Sequence, residues 1–141
     1  FSRGMLLTAR RCQPPAIADR FACFQTDAQA IPLPAASVDC LFSMRFLHHL
    51  VTPANRRAIL HEFHRVCRRH LCLSLWVTGN LQAWRRKRLE SRRPRRPYTN
   101  RIALPAATAE AEYRQAGFKV SAKLDLLAGI SIWRLYVLEK C

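Results

Sequence analysis

The sequence predicts an α/β protein whose sheet starts with parallel strands and ends in an antiparallel hairpin. Three observations carry this prediction. Residues 38–43 form an apolar run broken only by Asp39, which is typical of a parallel strand covered on both faces. Helical and strand-like segments alternate along most of the chain, as they do in parallel sheets with right-handed crossovers. Two apolar segments near the end of the chain are joined at Ala128-Gly129, which indicates a hairpin.

The first part of the chain predicts a helix and then a short strand. Residues 3–12 place several apolar side chains on one helical face, and Ser2 is the expected N-cap. Residues 21–25 form an apolar run of strand length that ends just before Asp27. A loop containing two prolines follows and leads into the strand at 38–43.

The middle of the chain predicts a second helix and a second strand of the parallel sheet. Thr52-Pro53 provides a cap with proline at the first helical position, and the helix is expected to continue to about Arg69. Residues 71–77 then form a strand that Gly79 helps to end. The helix carries one apolar stripe, to which the arginines, including Arg56, do not belong. The residues of the stripe are Ile59, Leu60, Phe63, Val66 and Cys67.

The last part of the chain predicts a helix followed by the hairpin. The helix begins near Pro105 and ends at Ala116, with Gly117 as its C-cap. Two strands, residues 118–127 and 130–139, then pair in antiparallel fashion.

Length and composition indicate one globular domain. At 141 residues, half of them hydrophobic, the chain can bury a core, and it contains no apolar run long enough to span a bilayer. The N-terminus has no secretory signal, and its first residue is Phe, which indicates a truncated or processed chain. Three of the six cysteines, Cys23, Cys40 and Cys72, lie in apolar runs and no CxxC pair occurs. We therefore expect reduced core thiols in a cytoplasmic protein.

The positive charge of the chain is concentrated in one segment. Residues 85–101 hold nine Lys or Arg and one Glu, so +8 of the formal charge of +15 lies there. This excess favours anionic partners or substrates. Trp84, Arg85 and Arg88 combine an aromatic ring with cations, a composition that binds phosphates or stacks on bases. The same composition also makes an ordinary solvated loop.

Several short motifs, in order, resemble those of class I S-adenosylmethionine-dependent methyltransferases of the small-molecule type. The segment SRGMLLTAR resembles the family's helix after the second strand, and Asp27-Ala28 resembles the acidic and small pair after its third strand. IPLP followed by SVDCLFSM resembles the loop and fourth strand. LHHL at 47–50 and HEFHRV at 61–66 resemble the motifs that follow. The resemblance covers the whole chain apart from a basic insert at about 81–104.

The resemblance implies a Rossmann-like α/β domain over residues 1–141 that transfers a methyl group from S-adenosylmethionine. The acceptor it implies is a small molecule or a lipid- or glycan-linked group, and the basic insert implies that this acceptor is anionic. The family's glycine-rich turn and its ribose-binding carboxylate have no counterpart here, so the first strands are expected to be missing. Either an N-terminal segment is truncated or the chain is a degenerate relative of the family. The residues implied for the cofactor are Met5, Asp27, Ala28 and Met44; for catalysis, His49; and for the acceptor, Trp84, Arg85 and Arg88.

Other interpretations of these residues stay open on the sequence alone. His48 and His49 can simply pack against or cap the next helix, and Asp27 can be an ordinary turn aspartate. His61 and His64 share a helical face with a cysteine, but no second ligand pair completes a metal site, so none is expected. The alternative function is that of a catalytically inactive module that binds nucleic acid or another polyanion through its basic charge.

Overall fold

A computed structural model of the protein describes residues 3–20, 22–92 and 101–141. Two compact units make up the chain, Phe1–Pro32 and Leu33–Cys141. The predicted single domain over 1–141 stays a prediction. The helices are α1 (Arg3–Arg11), α2 (Pro15–Ala18), α3 (Pro53–Val66), α4 (Leu81–Ser91) and α5 (Ala106–Gln115), and the strands are β1 (Val38–Ser43), β2 (Cys67–Trp76), β3 (Phe118–Asp125) and β4 (Trp133–Lys140).

The first unit contains α1, α2 and a tight turn. Helix α1 forms as predicted, while the predicted N-cap, Ser2, lies outside the described residues. The strand predicted over 21–25 is wrong for the residues described there, because 22–26 have no regular structure and form no ladder. The chain turns at Asp27–Ala30, where the Thr26 hydroxyl donates to the carbonyl oxygen of Ala30 over 3.0 Å.

A four-stranded sheet in the order β1-β2-β4-β3 forms the centre of the second unit. Strand β1 pairs with β2 in parallel, and β4 pairs antiparallel with both β2 and β3. The α/β fold class with a terminal antiparallel hairpin is therefore confirmed. The parallel pair matters most for function, because it brings the carboxyl ends of β1 and β2 to one edge.

The core packs α3 and α5 against this sheet. The apolar stripe of α3 is buried as predicted, and burial of each large side chain stabilises the fold by roughly 1.5–3 kcal/mol. Alternate residues of β2 and the aromatic rings of Tyr113 and Tyr136 complete the core. The fully buried side chains of the unit include Leu47, Leu60, Val66, Leu71, Leu73, Leu75, Tyr113, Phe118, Tyr136 and Leu138.

Strand β1 differs from its prediction in burial. The range 38–43 is correct, but among the described strands β1 lies at the edge of the sheet, and the Phe42 side chain is 69% exposed. The apolar sequence predicted that both faces of β1 are covered, and the exposure of Phe42 contradicts this prediction. The expectation of core positions is wrong for two of the three predicted cysteines, whereas Cys72 is half-buried. Cys23 and Cys40 are exposed, and the buried thiol is that of Cys67. All six cysteines lie in the described part and are unpaired thiols.

Helix α3 ends three residues earlier than predicted. Cys67 belongs to β2 rather than to the helix, because its backbone is extended and it pairs with Val38. Lys140 holds this junction, since its ammonium group donates to the carbonyl oxygens of His64 and Cys67 over 2.7 and 2.9 Å. The strand thus starts without an intervening loop.

The C-terminal hairpin forms with a longer connection than predicted. Gly117, with φ of +89°, ends α5 as expected, and β3 begins at the next residue. Strand β3 ends at Asp125, whose carboxylate accepts two hydrogen bonds from Arg134 over 2.6 and 2.8 Å. A turn over 126–132 completes the hairpin. Among the described residues, no helix has both the length and the apolar character needed to cross a membrane.

Candidate cofactor and acceptor site

The candidate site in the second unit lies where β1 and β2 end. Ser43 is the last residue of β1 and Trp76 the last of β2. Beyond Ser43 the chain turns sharply at Arg45, which has φ of +56° and whose backbone N–H donates to the Ser74 hydroxyl over 2.7 Å. This bond fixes the course of the chain into the 3-10 turn Leu47–His49. Two strand ends and one turn therefore border a single edge of the sheet.

Three aromatic rings meet at this edge. The His48 ring stacks on Trp76, with centroids 4.7 Å apart and an angle of 17° between planes. Trp133, the first residue of β4, meets both rings edge-on, at 5.1 Å from His48 and 5.5 Å from Trp76. Such pairs prefer these offset and T-shaped geometries. The cluster therefore holds His48 in one orientation.

Unpaired polar atoms are concentrated in the same place. Ser43 Oγ, His48 Nδ1 and Trp76 Nε1 are buried, and none has a hydrogen-bond partner within the described part of the chain. Buried polar atoms are nearly always paired, because leaving one unpaired costs about 1–3 kcal/mol. Two of these atoms lie at neighbouring strand ends and the third on the turn after β1, so this edge of the sheet is a candidate place to contact a polar ligand.

His48 is held in its neutral form. Burial, followed by the positive charge of neighbouring groups, lowers the pKa of His48 from 6.5 to about 4. The neighbours that contribute are His49, Arg101, Arg45 and Arg86. A neutral imidazole at physiological pH can accept a hydrogen bond or a proton, which a protonated one cannot.

Three arginines surround the aromatic cluster. The guanidinium carbons of Arg86 and Arg101 lie 4.6 and 5.7 Å from the centroid of Trp76, and that of Arg45 lies 5.6 Å from Trp133. These distances are typical of cation–π contacts. Arg86 is oriented by Glu90, one turn further along α4, through a 2.7 Å ion pair. The edge is thus aromatic and strongly positive.

A cleft of about 1010 Å³ opens beside the cluster, between α4 and residues 101–103. Its volume is at the upper end of the range typical for small-molecule sites. Trp84, Arg86, Lys87 and Arg101 supply its aromatic and basic lining, and Glu90 its acidic residue.

A buried ion pair anchors the segment that carries the histidines. Arg56 on α3 is 3% exposed, and two of its nitrogens donate to the carboxylate of Glu112 on α5 over 2.9 and 2.6 Å. Its third nitrogen donates to the carbonyl oxygens of Leu50 and Val51, just after His49. The prediction that Arg56 lies off the buried face is therefore wrong, because a carboxylate and two carbonyls satisfy its charge and its donors.

The structure places the predicted residues of the second unit in two groups. Met44 and His49 follow β1; the Met44 side chain is 45% exposed, and the His49 ring lies 4.2 Å from that of His48. Trp84 and Arg88 contact each other on α4, with the guanidinium 5.5 Å from the ring, and Arg85 is exposed on the same helix. Of these residues, Trp84 lines the cleft. Their roles stay predictions.

The remaining predicted residues lie in the first unit. Met5 is 59% exposed on α1. One oxygen of the Asp27 carboxylate accepts from the backbone N–H of Gln29 over 2.9 Å, so Asp27 does form the turn that the alternative interpretation expected. The Ala28 N–H makes no backbone hydrogen bond within the described residues. A carboxylate acceptor next to an amide donor matches the amine and ring nitrogen of adenine, so the pair fits S-adenosylmethionine.

His64, one of the two helical histidines, lies in a packed environment. In the described residues, no group of three His, Cys, Asp or Glu side chains is arranged to hold a metal ion. The His64 ring packs edge-on against Phe118 at 5.2 Å, and Gly117 leaves the space that its Nε2 atom occupies. His64 thus serves the packing of α3 against β3.

Sequence reasoning missed most of the cluster. The sequence favoured His49 of the LHHL motif over the buried His48, and it indicated no role for Trp76, Trp133 or Arg45. Trp76 and Trp133 meet because the register of β2 and β4 sets these two residues opposite each other. That register is visible only in the folded chain. One signal was available: a tryptophan at the end of a predicted parallel strand lies at the edge where ligands bind.

Comparison with known proteins identifies the family. The sequence profile of the methyltransferase domain family matches residues 1–71, half of the chain. The chain belongs to this family. Membership confirms the predicted recognition, and with it the methyltransferase class and S-adenosylmethionine as the cofactor of that class. No curated protein matches the chain by sequence.

Solved structures agree on the fold. Magnesium protoporphyrin IX methyltransferase from Synechocystis PCC 6803, solved with bound S-adenosylhomocysteine, is 14% identical with a TM-score of 0.65, over 84% of this chain and 50% of that one. A SAM-dependent methyltransferase from Methanosarcina mazei is 16% identical with a TM-score of 0.71, over 99% and 78%. The [4+2]-cyclase SpnF is 16% identical with a TM-score of 0.71, over 99% and 63%. This chain thus spans about half the length of the Synechocystis enzyme.

Proposed function

We propose that the protein transfers a methyl group from S-adenosylmethionine to an anionic acceptor, either a small molecule or a lipid- or glycan-linked group. The observation that carries the proposal is the cluster of unpaired polar atoms and arginines around His48 and Trp76, at the edge of the sheet where ligands of this fold class bind. The six unpaired thiols support a reducing compartment, the cytoplasm, as its location.

S-Adenosylmethionine, when bound, supplies a methyl group activated on a sulfonium, so the protein mainly has to orient the acceptor and exclude water. Asp27 and Ala28 hold the adenine edge through one acceptor and one donor, and Met5 and Met44 offer exposed apolar contacts. His49 takes the acceptor's proton where the acceptor must lose one. The neutral His48 next to it accepts a hydrogen bond and keeps that region polar.

The acceptor's negative charge is inferred from the groups around the cleft. Arg86, Lys87 and Arg101 line it, and its acidic residue, Glu90, is already paired with Arg86. An anion placed there gains attraction from several cations and little repulsion. Trp84 borders the same cleft, and Arg88 and Arg85 extend the positive charge along α4.

Calorimetric titration with S-adenosylhomocysteine tests cofactor binding by the full chain. We expect saturable binding that weakens roughly tenfold or more in Asp27→Ala, since a hydrogen bond to a charged group contributes about 1.5–3 kcal/mol. Asp19→Ala, an exposed aspartate at the end of α2, is the matched control and should bind as the wild type does. If Asp27→Ala binds normally, the adenine role of Asp27 is refuted.

Transfer of radiolabelled methyl to matched acceptors tests the charge preference. We expect carboxylated or phosphorylated phenols to react with a lower KM than their neutral amides or alcohols, and the advantage to shrink at high salt. Arg101→Gln should remove part of it, whereas Arg57→Gln on the exposed face of α3 should not. Equal KM values for charged and neutral acceptors would refute the anionic acceptor.

The calorimetric titration, together with an RNA-binding measurement at several salt concentrations, separates the alternative function. A catalytically inactive polyanion-binding module would give no heat with S-adenosylhomocysteine and would bind RNA tightly, with affinity falling steeply as salt rises. That pair of results would replace the methyltransferase proposal.

A further inference from the structure

The outward face of α4 combines apolar and basic side chains. Residues three and four apart on a helix share a face, so Leu81, Arg85, Arg88 and Leu89 belong together. Leu81 is 40% exposed and Leu89 57% exposed, and both arginines are exposed as well. Trp84 borders this face and is 56% exposed. The solvent-facing side of an amphipathic helix carries mainly polar groups, so this grouping of apolar and basic side chains is unusual.

No carboxylate lies on this face among the described residues. The acidic residue of α4, Glu90, lies on the other side of the helix, where it pairs with Arg86 next to Trp76. The outward face therefore presents positive charge without internal neutralisation.

The turn of the C-terminal hairpin extends the apolar surface. Leu126, Leu127 and Ile130 are 69%, 58% and 48% exposed. The turn joins the start of α4 directly, because the Leu81 N–H donates to Gly129 and the N–H of the next residue donates to Ile130, each over 3.0 Å. Residues 126–130 contain no charged side chain, and Asp125 before them is paired with Arg134.

We propose that this surface, formed by the outward face of α4 and the turn 126–130, docks onto an anionic lipid bilayer. A helix face with Trp and Leu among arginines is the composition that lies in the headgroup region, where arginines reach the phosphates and apolar side chains enter the acyl boundary. The charge of the face is complementary to anionic lipids.

The exposed leucines favour a bilayer over a nucleic acid as the binding partner of this surface. Arginines and a tryptophan would serve either partner, since both carry phosphates and nucleic acids offer bases for stacking. Nucleic acid gives no reason to expose Leu89, Leu126 and Leu127, whereas insertion into the acyl boundary does. A test of this proposal measures binding to lipid vesicles, so its outcome does not depend on the proposed methyl transfer.

Vesicle flotation with the full chain tests the proposal. We expect binding to phosphatidylcholine vesicles that contain phosphatidylglycerol and little binding to phosphatidylcholine alone. Leu126→Ser/Leu127→Ser should weaken binding about tenfold or more, because it removes two inserted apolar side chains. Arg85→Gln/Arg88→Gln should also weaken it, by about fivefold for each arginine. Both double variants change exposed side chains, and unchanged circular dichroism spectra verify their folding.

Two matched controls and one spectroscopic signal complete the test. Leu7→Ser, an exposed leucine of α1, and Arg57→Gln, an exposed arginine of α3, should bind vesicles as the wild type does. Lipids brominated in their acyl chains should quench tryptophan fluorescence, and the quenching should fall in Trp84→Phe, since Trp84 is 56% exposed whereas Trp76 is buried and Trp133 is half-buried. Equal binding to neutral vesicles, or full binding by Leu126→Ser/Leu127→Ser, would overturn the proposal. The latter result together with tight RNA binding would assign the surface to nucleic acid.

Discussion

The buried pair of Arg56 and Glu112 gives a sharp prediction about stability. Their side chains are 3% and 11% exposed, and the guanidinium donates four hydrogen bonds, two to the carboxylate and two to the carbonyl oxygens of Leu50 and Val51. Removing one partner leaves the other charge buried and uncompensated, which costs about 3–5 kcal/mol. We therefore expect Arg56→Met and Glu112→Leu each to lower the free energy of unfolding by about that amount.

The double variant distinguishes charge compensation from simple packing. In Arg56→Met/Glu112→Leu both charges are gone. The stability that is still lost comes from the two backbone carbonyl oxygens to which Arg56 had donated. Leaving such groups without donors costs about 1–3 kcal/mol each, less where water reaches them, as it does at these partly buried atoms. The double variant should therefore be more stable than the sum of the single losses implies, by about 2 kcal/mol or more.

Urea unfolding of the four proteins measures this coupling. The matched control is the exposed pair of Arg68 and Asp39, with side chains 52% and 70% exposed, for which Arg68→Met should cost less than about 1 kcal/mol. If the losses at Arg56 and Glu112 simply add, the two charges do not compensate each other and the reasoning fails.

Two further predictions concern histidines. Because the pKa of His48 falls from 6.5 to about 4 on folding, the unfolded chain binds more protons between these values. Stability should thus fall as the pH drops through this range. His48→Phe should reduce the slope of unfolding free energy against pH and leave the part due to His64, whose pKa is also lowered. An unchanged slope, measured by urea unfolding, would contradict this. Gly117→Ala should cost more than the ~1–2 kcal/mol of its positive φ, because the new Cβ would lie 2.7 Å from His64 Nε2. Gly79→Ala, with the same φ of +89° and open space, is its control in thermal unfolding; equal losses would refute the clash.

Local sequence signals predicted where helices and strands lie better than they predicted which of their side chains are buried. Apolar spacing located α3, and Gly117 marked the end of α5, because both depend on neighbours in the chain. The same signals failed for β1 and for Arg56. Whether an apolar strand is covered, or whether a charge is buried, depends on what the folded chain packs against it. Glu112 is far from Arg56 in sequence, and the position of β1 in the sheet is set by long-range strand pairing.

The motif order of the sequence by itself determined the family, and it predicted a general position for the candidate site, at the end of the strand before His48-His49. Ligand sites of this class lie at strand ends, and strand ends can be found from sequence. Only the tertiary structure decided which side chains meet there. The stacking of His48 on Trp76, the edge contact of Trp133 and the arginines around them join five separate segments. The physical reason is strand register: the pairing of β2 with β4 sets Trp76 against Trp133, and long-range pairing leaves no trace in local periodicity.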